Sequence, residues 1–173
     1  MTDTRNIIDY YKGWENEFIV DHLDTTRLPL SIVTENVNGD FHKANILRTA
    51  EGFNLKEFWI VGSKKWDRRA AVGSHHRMPV HYSPSLADMV VGLDEEPYIV
   101  TLDNVPGAVS LYDYQWPDRP VMMIVGEEQR GVSNEAIDVA NDVVYIPMRG
   151  AVRSFSVSTA AGIAMNHYVM QQL

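Results

Sequence analysis

Five short apolar runs constrain the fold of this chain more than any other feature: LPLSIVT (28–34), EFWIV (57–61), PYIVTL (97–102), VMMIV (121–125) and DVVYI (142–146). Each is nearly continuous rather than an alternation of apolar and polar residues. A strand with one wet face alternates; a strand covered on both faces does not. Each run ends at a polar or glycine-bearing segment, and helical spacing fills most of the intervals. The spacing predicts helices over Arg5–Asp21 (with Ile7, Ile8, Tyr11, Trp14 and Phe18), His42–Phe53, Ser85–Leu93, Ser133–Ala140, and from Ser154 or Ser158 to Gln171. Ser85 and Ser133 read as N-caps. Pro79–Tyr82 reads as a further short strand and Asp103–Pro120 as turn-rich. Strands and helices in alternation predict an α/β fold, a parallel sheet flanked by helices. Such folds take ligands beyond the carboxyl ends of their strands. The segments after Thr34, Val61, Leu102, Val125 and Ile146 are therefore the ones to inspect.

A length of 173 residues predicts one domain, 1–173, with an N-terminal helical extension over 1–27. The formal net charge is −8. A polyanion must then be met by a local basic patch, because bulk charge repels it. The absence of Cys excludes disulfides and a cysteine nucleophile. No His, Asp and Glu cluster has metal-ligand spacing, so no metal is expected. Neither an apolar signal core nor a run of about 20 apolar residues is present, and the expected location is the cytoplasm.

Three segments carry unusual residues. NVNGDFHKANILRTAEG (36–52) follows a strand and sets Arg48 in an apolar helical stretch. Alone, Arg48 reads as a surface arginine in a salt bridge. VGEEQRGVS (125–133) puts Gly126 directly after a buried strand, where a ligand can approach the backbone closely. Alone, that segment reads as a strand, a turn and a capped helix, and it lacks the spacing of phosphate-binding loops. IPMRGAVRSFSVS (146–158) forces a loop with Pro147 and Gly150, then alternates serines at a helix start. Those serines can cap the helix, and an exposed helix start also suits an anion.

In this order, the three segments resemble motifs 1, 2 and 3 of the SpoU/TrmH-type RNA 2′-O-methyltransferases of the SPOUT superfamily. The resemblance runs from Leu28 to the C-terminus. VGEEQRGVS, IPMRG and SFSVSTA are similar to the family's Gly-x-Glu-x-x-Gly-[Leu/Val]-Ser, Ile-Pro-Met-x-Gly and Ser-Leu-Asn-Val-Ser-x-Ala. AVGSHHRMPV resembles the Gly-Ser-His segment of the branch that methylates guanosine ribose in the tRNA D-loop. The resemblance implies a deep trefoil knot in the C-terminal half and S-adenosylmethionine as methyl donor. It also implies an RNA substrate, tRNA ahead of rRNA, and a homodimer joined through the last helix. Donor contacts are implied at Thr101, Leu102, Val125, Gly126, Glu127, Ile146, Met148 and Phe155. Catalytic positions are implied at Arg48, Glu128 and Ser154. Guanidinium stays protonated in proteins, so Arg48 suits holding a phosphate and stabilising developing alkoxide charge better than removing a proton. Glu128 is expected to orient Arg48 or an adjacent amide, and Ser154 to meet the ribose.

The chain departs from the family pattern at His42 and Ser156, where the family has Asn, at Asn45, where it has a small residue, and at Phe155, where it has Leu. Losing an Asn removes two donors and an acceptor. A second reading therefore stands beside the first: an RNA-binding or regulatory module on the same fold. A third, a small-molecule enzyme with a nucleotide cofactor, suits the acidic charge but has no phosphate-cradling glycine motif behind it. The basic segment contributes the candidate RNA contacts Lys64, Lys65, Arg68, Arg69, His75 and Arg77, with a merely solvated loop as the plain alternative.

Overall fold

The apolar runs become strands, and every pairing between them is parallel. The computed structural model describes residues 6–173. Its strands are β1 (Leu28–Glu35), β2 (Leu55–Val61), β3 (Val80–Ser83), β4 (Tyr98–Leu102), β5 (Val109–Ser110), β6 (Val121–Val125) and β7 (Asp142–Tyr145). They form one seven-stranded sheet in the order β3-β2-β1-β6-β4-β7-β5. On β1, Thr34 lies opposite Ile60 of β2 and Val125 of β6. On β4, Leu102 lies opposite Val125 of β6 and Val144 of β7. This register brings the carboxyl ends of β1, β6, β4 and β7 to one level, so their loops start side by side.

The helices are α1 (Asn16–Asp24), α2 (Asp40–Gly52), α3 (Leu86–Val91), α4 (Asn134–Asp138) and α5 (Val157–Gln172). On one face of the sheet, Leu30, Ile32, Phe58 and Met123 pack with Ala44 and Leu47 of α2 and Ala161, Met165 and Tyr168 of α5. On the other, Val33, Val61, Met122 and Ile124 pack with Leu86 and Met89 of α3 and Ala136 of α4. Neighbouring residues of one strand thus face opposite cores. That double burial is why the runs are continuous, and each large apolar side chain contributes roughly 1.5–3 kcal/mol by leaving water.

Three expectations change. The N-terminal helix is not one piece: Gly13, at φ 87°, separates a single 3-10 turn (Asp9–Tyr11) from α1. Arg5, where that helix was expected to begin, lies outside the described residues. The last helix opens at Ser156, whose Oγ accepts from the Thr159 amide, rather than at Ser154 or Ser158. β5 lies in the segment expected to be turns, and two residues are too few to show any periodicity. Ser85 and Ser133 do cap α3 and α4, accepting from the amides of Asp88 and Ala136. The basic segment carries two 3-10 turns, Arg68–Ala71 and Ser74–His76. Among the described residues no helix is long and apolar enough to cross a membrane, and no group of three or more His, Cys, Asp or Glu could hold a metal.

α5 is tied to the segment before β6 by Trp116, whose indole N–H donates to Nδ1 of His167 at 2.9 Å. Burial holds the His167 imidazole below its ordinary pKa, and the indole bond needs Nδ1 unprotonated. On acidification the unfolded chain takes the proton first. The stabilisation is therefore present above about pH 6.5 and lost as pH falls through the lower folded value. Thermal unfolding followed from about pH 7 to 5 should show Tm falling in the wild type and falling less in His167→Gln; parallel slopes would remove His167 as the cause.

Candidate active site

The loops after β4, β6 and β7 meet the start of α5 around a cleft of about 1010 Å³. Leu102, Val125, Gly126, Glu127, Ile146, Met148 and Phe155 line it, together with Glu128 and Ser154. Val125, Ile146, Met148 and Phe155 make an apolar wall, while Asp103, Asn104, Glu127 and Glu128 supply polar groups. Asp103 and Asn104 directly follow an apolar run, in one of the segments the strand-end rule singles out, but neither is among the donor-contact positions that the resemblance implies. Thr101 does not belong to the cleft. It is buried within the strand, and its hydroxyl donates to the Ala136 carbonyl at 3.0 Å, tying β4 to α4.

The loop after β6 is held closed by contacts that leave no room for side chains. A Cβ on Gly126 would overlap the backbone of Gly131 and Val132, and one on Gly131, at φ 73°, would strike the Asp103 carboxylate. The Gly131 amide donates to the Glu127 carbonyl at 2.8 Å, and the Val132 amide donates to Asp103 at 3.0 Å. The end of β1 fastens the same loop from the other side. Glu35, 3% exposed, accepts from the Ser133 amide at 2.9 Å and from its hydroxyl at 2.5 Å. Asn38 donates to Glu127 at 2.6 Å.

α2 carries the first motif. Ala44, Ile46, Leu47 and Ala50 are buried, whereas Phe41, Asn45 and Arg48 are exposed. Arg48 is not part of the cleft lining. Glu128 serves an adjacent amide rather than Arg48: Oε1 accepts from the Val157 amide at 3.2 Å and lies 3.3 Å from Nε2 of His42. Ser154 is exposed at the cleft.

The six basic-loop candidates separate into two groups. Lys64, Lys65, Arg68 and Arg69 are exposed; Lys64 lies over the Tyr82 ring and Arg68 over Trp66. Arg69 donates to Asp67, whose carboxyl is held below its usual range chiefly by that bond. Arg77 is set apart from the exposed cations: it is buried, and its Nε donates to Glu51 of α2 at 2.7 Å. His75 is half-buried between Trp66 and His76. Lys43, on which the sequence reading is silent, is 2% exposed and donates to the carbonyls of Ser63 at 2.6 Å and Lys65 at 3.1 Å. α2 therefore grips the basic loop at both ends, through Lys43 and Glu51.

Replacing the Glu35 carboxylate removes a charge-assisted pair of hydrogen bonds from a buried site. Glu35→Gln should lower stability by about 1–3 kcal/mol and speed hydrogen exchange at the Val132 and Ser133 amides more than in β1. Exchange unchanged at those amides would mean that Glu35 does not hold the loop.

The model of the SpoU rRNA methylase family matches residues 29–166. The tRNA (guanosine(18)-2′-O)-methyltransferase of Thermus thermophilus is 28% identical over 149 residues, covering 83% of this chain and 76% of that protein. The enzyme of that name in Escherichia coli is 26% identical over 140 residues, and the match spans 61% of its length. Among solved structures, the TrmH/SpoU tRNA modifying enzyme of A. aeolicus superposes with a TM-score of 0.80 at 22% identity, over 91% of this chain and 82% of that one. AviRb from Streptomyces viridochromogenes, a SpoU methyltransferase solved in complex with AdoMet, gives 0.74 at 20% identity, over 82% and 57%. With the parallel sheet, the cleft at its strand ends and a family match across most of its length, the chain belongs to the SpoU rRNA methylase family.

Proposed function

We propose that this protein is an S-adenosylmethionine-dependent methyltransferase acting on a ribose 2′-hydroxyl of RNA, with tRNA as the favoured substrate class. One observation carries the reading. Every expected donor-contact residue except Thr101 lines a single cleft, and Glu128 and Ser154 line it too. The residues present suit the donor. Ile146, Met148 and Phe155 offer apolar walls for an adenine, polar groups from Asp103 to Asn104 lie beside them, and the volume matches a small-molecule site. S-adenosylmethionine supplies an activated methyl on a sulfonium: the ribose oxygen bonds to that carbon, the C–S electron pair stays on sulfur, and the 2′-OH proton leaves. The chain's own part is to hold the two reactants in line, keep water out and receive the proton.

Further elements of the reading rest on the fold. The backbone leaves β7, runs past the loop after β6, and enters α5, which packs beside α2 on the same face of the sheet; a deep trefoil knot in the C-terminal half fits that path. We also read 1–173 as one domain with 1–27 as its helical extension. α5 is apolar around most of its circumference, which suits burial on a second side in a homodimer. Lys64, Lys65, Arg68 and Arg69 form the RNA grip, with Arg48 on the neighbouring helix. A tRNA substrate fits a cytoplasmic protein.

Purified protein with labelled S-adenosylmethionine should methylate total tRNA at a mappable ribose 2′-oxygen, and Arg48→Ala should lower the rate by about 100-fold or more. No transfer to tRNA or rRNA, with the donor tightly bound in calorimetry, would leave the RNA-binding module as the better reading. Replacing Lys64, Lys65, Arg68 and Arg69 together by Ala should weaken tRNA binding and lower the slope of log K against log salt by about 3. An unchanged slope would place the grip elsewhere.

A further inference from the structure

The imidazole of His42 joins three segments that are far apart in sequence. It stands in the first turn of α2. Its Nε2 lies 3.3 Å from Glu128 Oε1, on the loop after β6. Its Nδ1 lies 3.3 Å from the Ser158 hydroxyl, at the start of α5. The ring is seated against Gly39, where a Cβ would come within 2.7 Å of its Cδ2. Ser158 continues the contact to Ser156 at 3.4 Å, the residue that caps α5. Both contacts of Glu128, from His42 and from the Val157 amide, fall on Oε1. Oε2 has no partner among the described residues, and Glu128 lines the cleft.

Building on the methyl-transfer reading, we infer that Glu128 Oε2 receives the ribose 2′-OH proton and that His42, in its neutral form, is the positioning residue that holds Glu128 for this. A neutral imidazole has one N–H and one acceptor nitrogen. With the hydrogen on Nε2, that nitrogen stands 3.3 Å from Glu128 Oε1, at ion-pair range, and Nδ1 accepts the Ser158 hydroxyl. The carboxylate is then held through one oxygen, by the Val157 amide as donor and the His42 ring beside it, and the other oxygen is left for the cleft. As the 2′-oxygen bonds to the methyl carbon, its proton passes to Oε2 and leaves a neutral carboxylic acid, which returns the proton to solvent after product departs. Protonating His42 puts a full positive charge against Oε1. That charge lowers the carboxylate's affinity for a proton. It also turns Nδ1 into a donor, so the Ser158 hydroxyl must rotate.

Among the described residues, the charged group facing the imidazole is Glu128. α5 presents the hydroxyls of Ser156 and Ser158, and on α2 itself Lys43 turns away to the carbonyls of Ser63 and Lys65. The rate should accordingly rise with pH through the imidazole range.

The test is the pH profile of tRNA methylation by wild type, His42→Asn and Glu128→Gln. Asn keeps an N–H donor for Oε1 but cannot be protonated. The wild-type kcat should rise about tenfold between about pH 5.5 and 7.5, and in His42→Asn that rise should shrink to less than about threefold with donor affinity unchanged. Glu128→Gln should bind the donor and lose kcat by about 100-fold or more. An activity-free arm follows the His42 ring by nitrogen NMR: Glu128→Gln, which removes the charge 3.3 Å from Nε2, should move the ring nitrogen signals. A His42→Asn profile with the wild-type rise, a Glu128→Gln enzyme of near-normal kcat, or His42 ring signals indifferent to Glu128 overturns the inference. A wild type that methylates neither tRNA nor rRNA overturns the functional reading, and the inference with it.

Discussion

A carboxylate buried at the end of β1, an interior strand of the sheet, governs this architecture. Glu35 closes β1, and both of its oxygens are occupied by Ser133, the residue that caps α4. A buried charge without such partners is strongly unfavourable, so the loop after β6 must fold back until Ser133 meets it. That return brings Gly131 onto Gly126 and Asp103 onto the loop's amides. The cleft wall is thus a consequence of satisfying one acid. Nothing in the loop itself is rigid by composition; its shape is imposed by neighbours on β1 and β4.

A second buried charge does the same work on the opposite side of α2. Lys43 spends its ammonium on two carbonyls of the basic segment, and Glu51, two turns further on, holds Arg77 at that segment's other end. A loop rich in like charges tends to spread into solvent. Fixed at both ends, it keeps Lys64, Lys65 and Arg68 together on the surface of a protein whose formal charge is −8. Arg69 contributes less than its formal charge because Asp67 neutralises it at close range.

The strands were legible because double burial leaves adjacent apolar letters, as in VMMIV, and β6 comes out at residues 121–125 as read. The caps at Ser85 and Ser133 were legible because capping is local chemistry within four residues. The cleft residues were legible through the resemblance, and through the rule that strand ends bear sites. What stayed hidden depends on partners remote in sequence. Lys43 and His42 look alike as polar letters at a helix start, yet one is buried under the loop at 63–65 and the other faces residues 128 and 158. Arg77 looks like its basic neighbours until Glu51 is placed beside it. Thr101 sits at a donor-contact position by pattern, but its strand turns the hydroxyl toward α4.

The strand order also has a consequence for synthesis. β1, β2 and β3 follow one another in the chain and pair with one another. β4 comes next, yet both of its neighbours, β6 and β7, are made after it. When residues 98–102 leave the ribosome, a Val- and Ile-bearing strand has no finished edge to join, and the edge of β1 that β6 will occupy stands open beside it. Long-range parallel pairing of this kind is slow because distant segments must be brought together before any contact forms. The nascent chain therefore carries an unsatisfied strand until residue 125 emerges, a window in which a holding chaperone has something definite to hold.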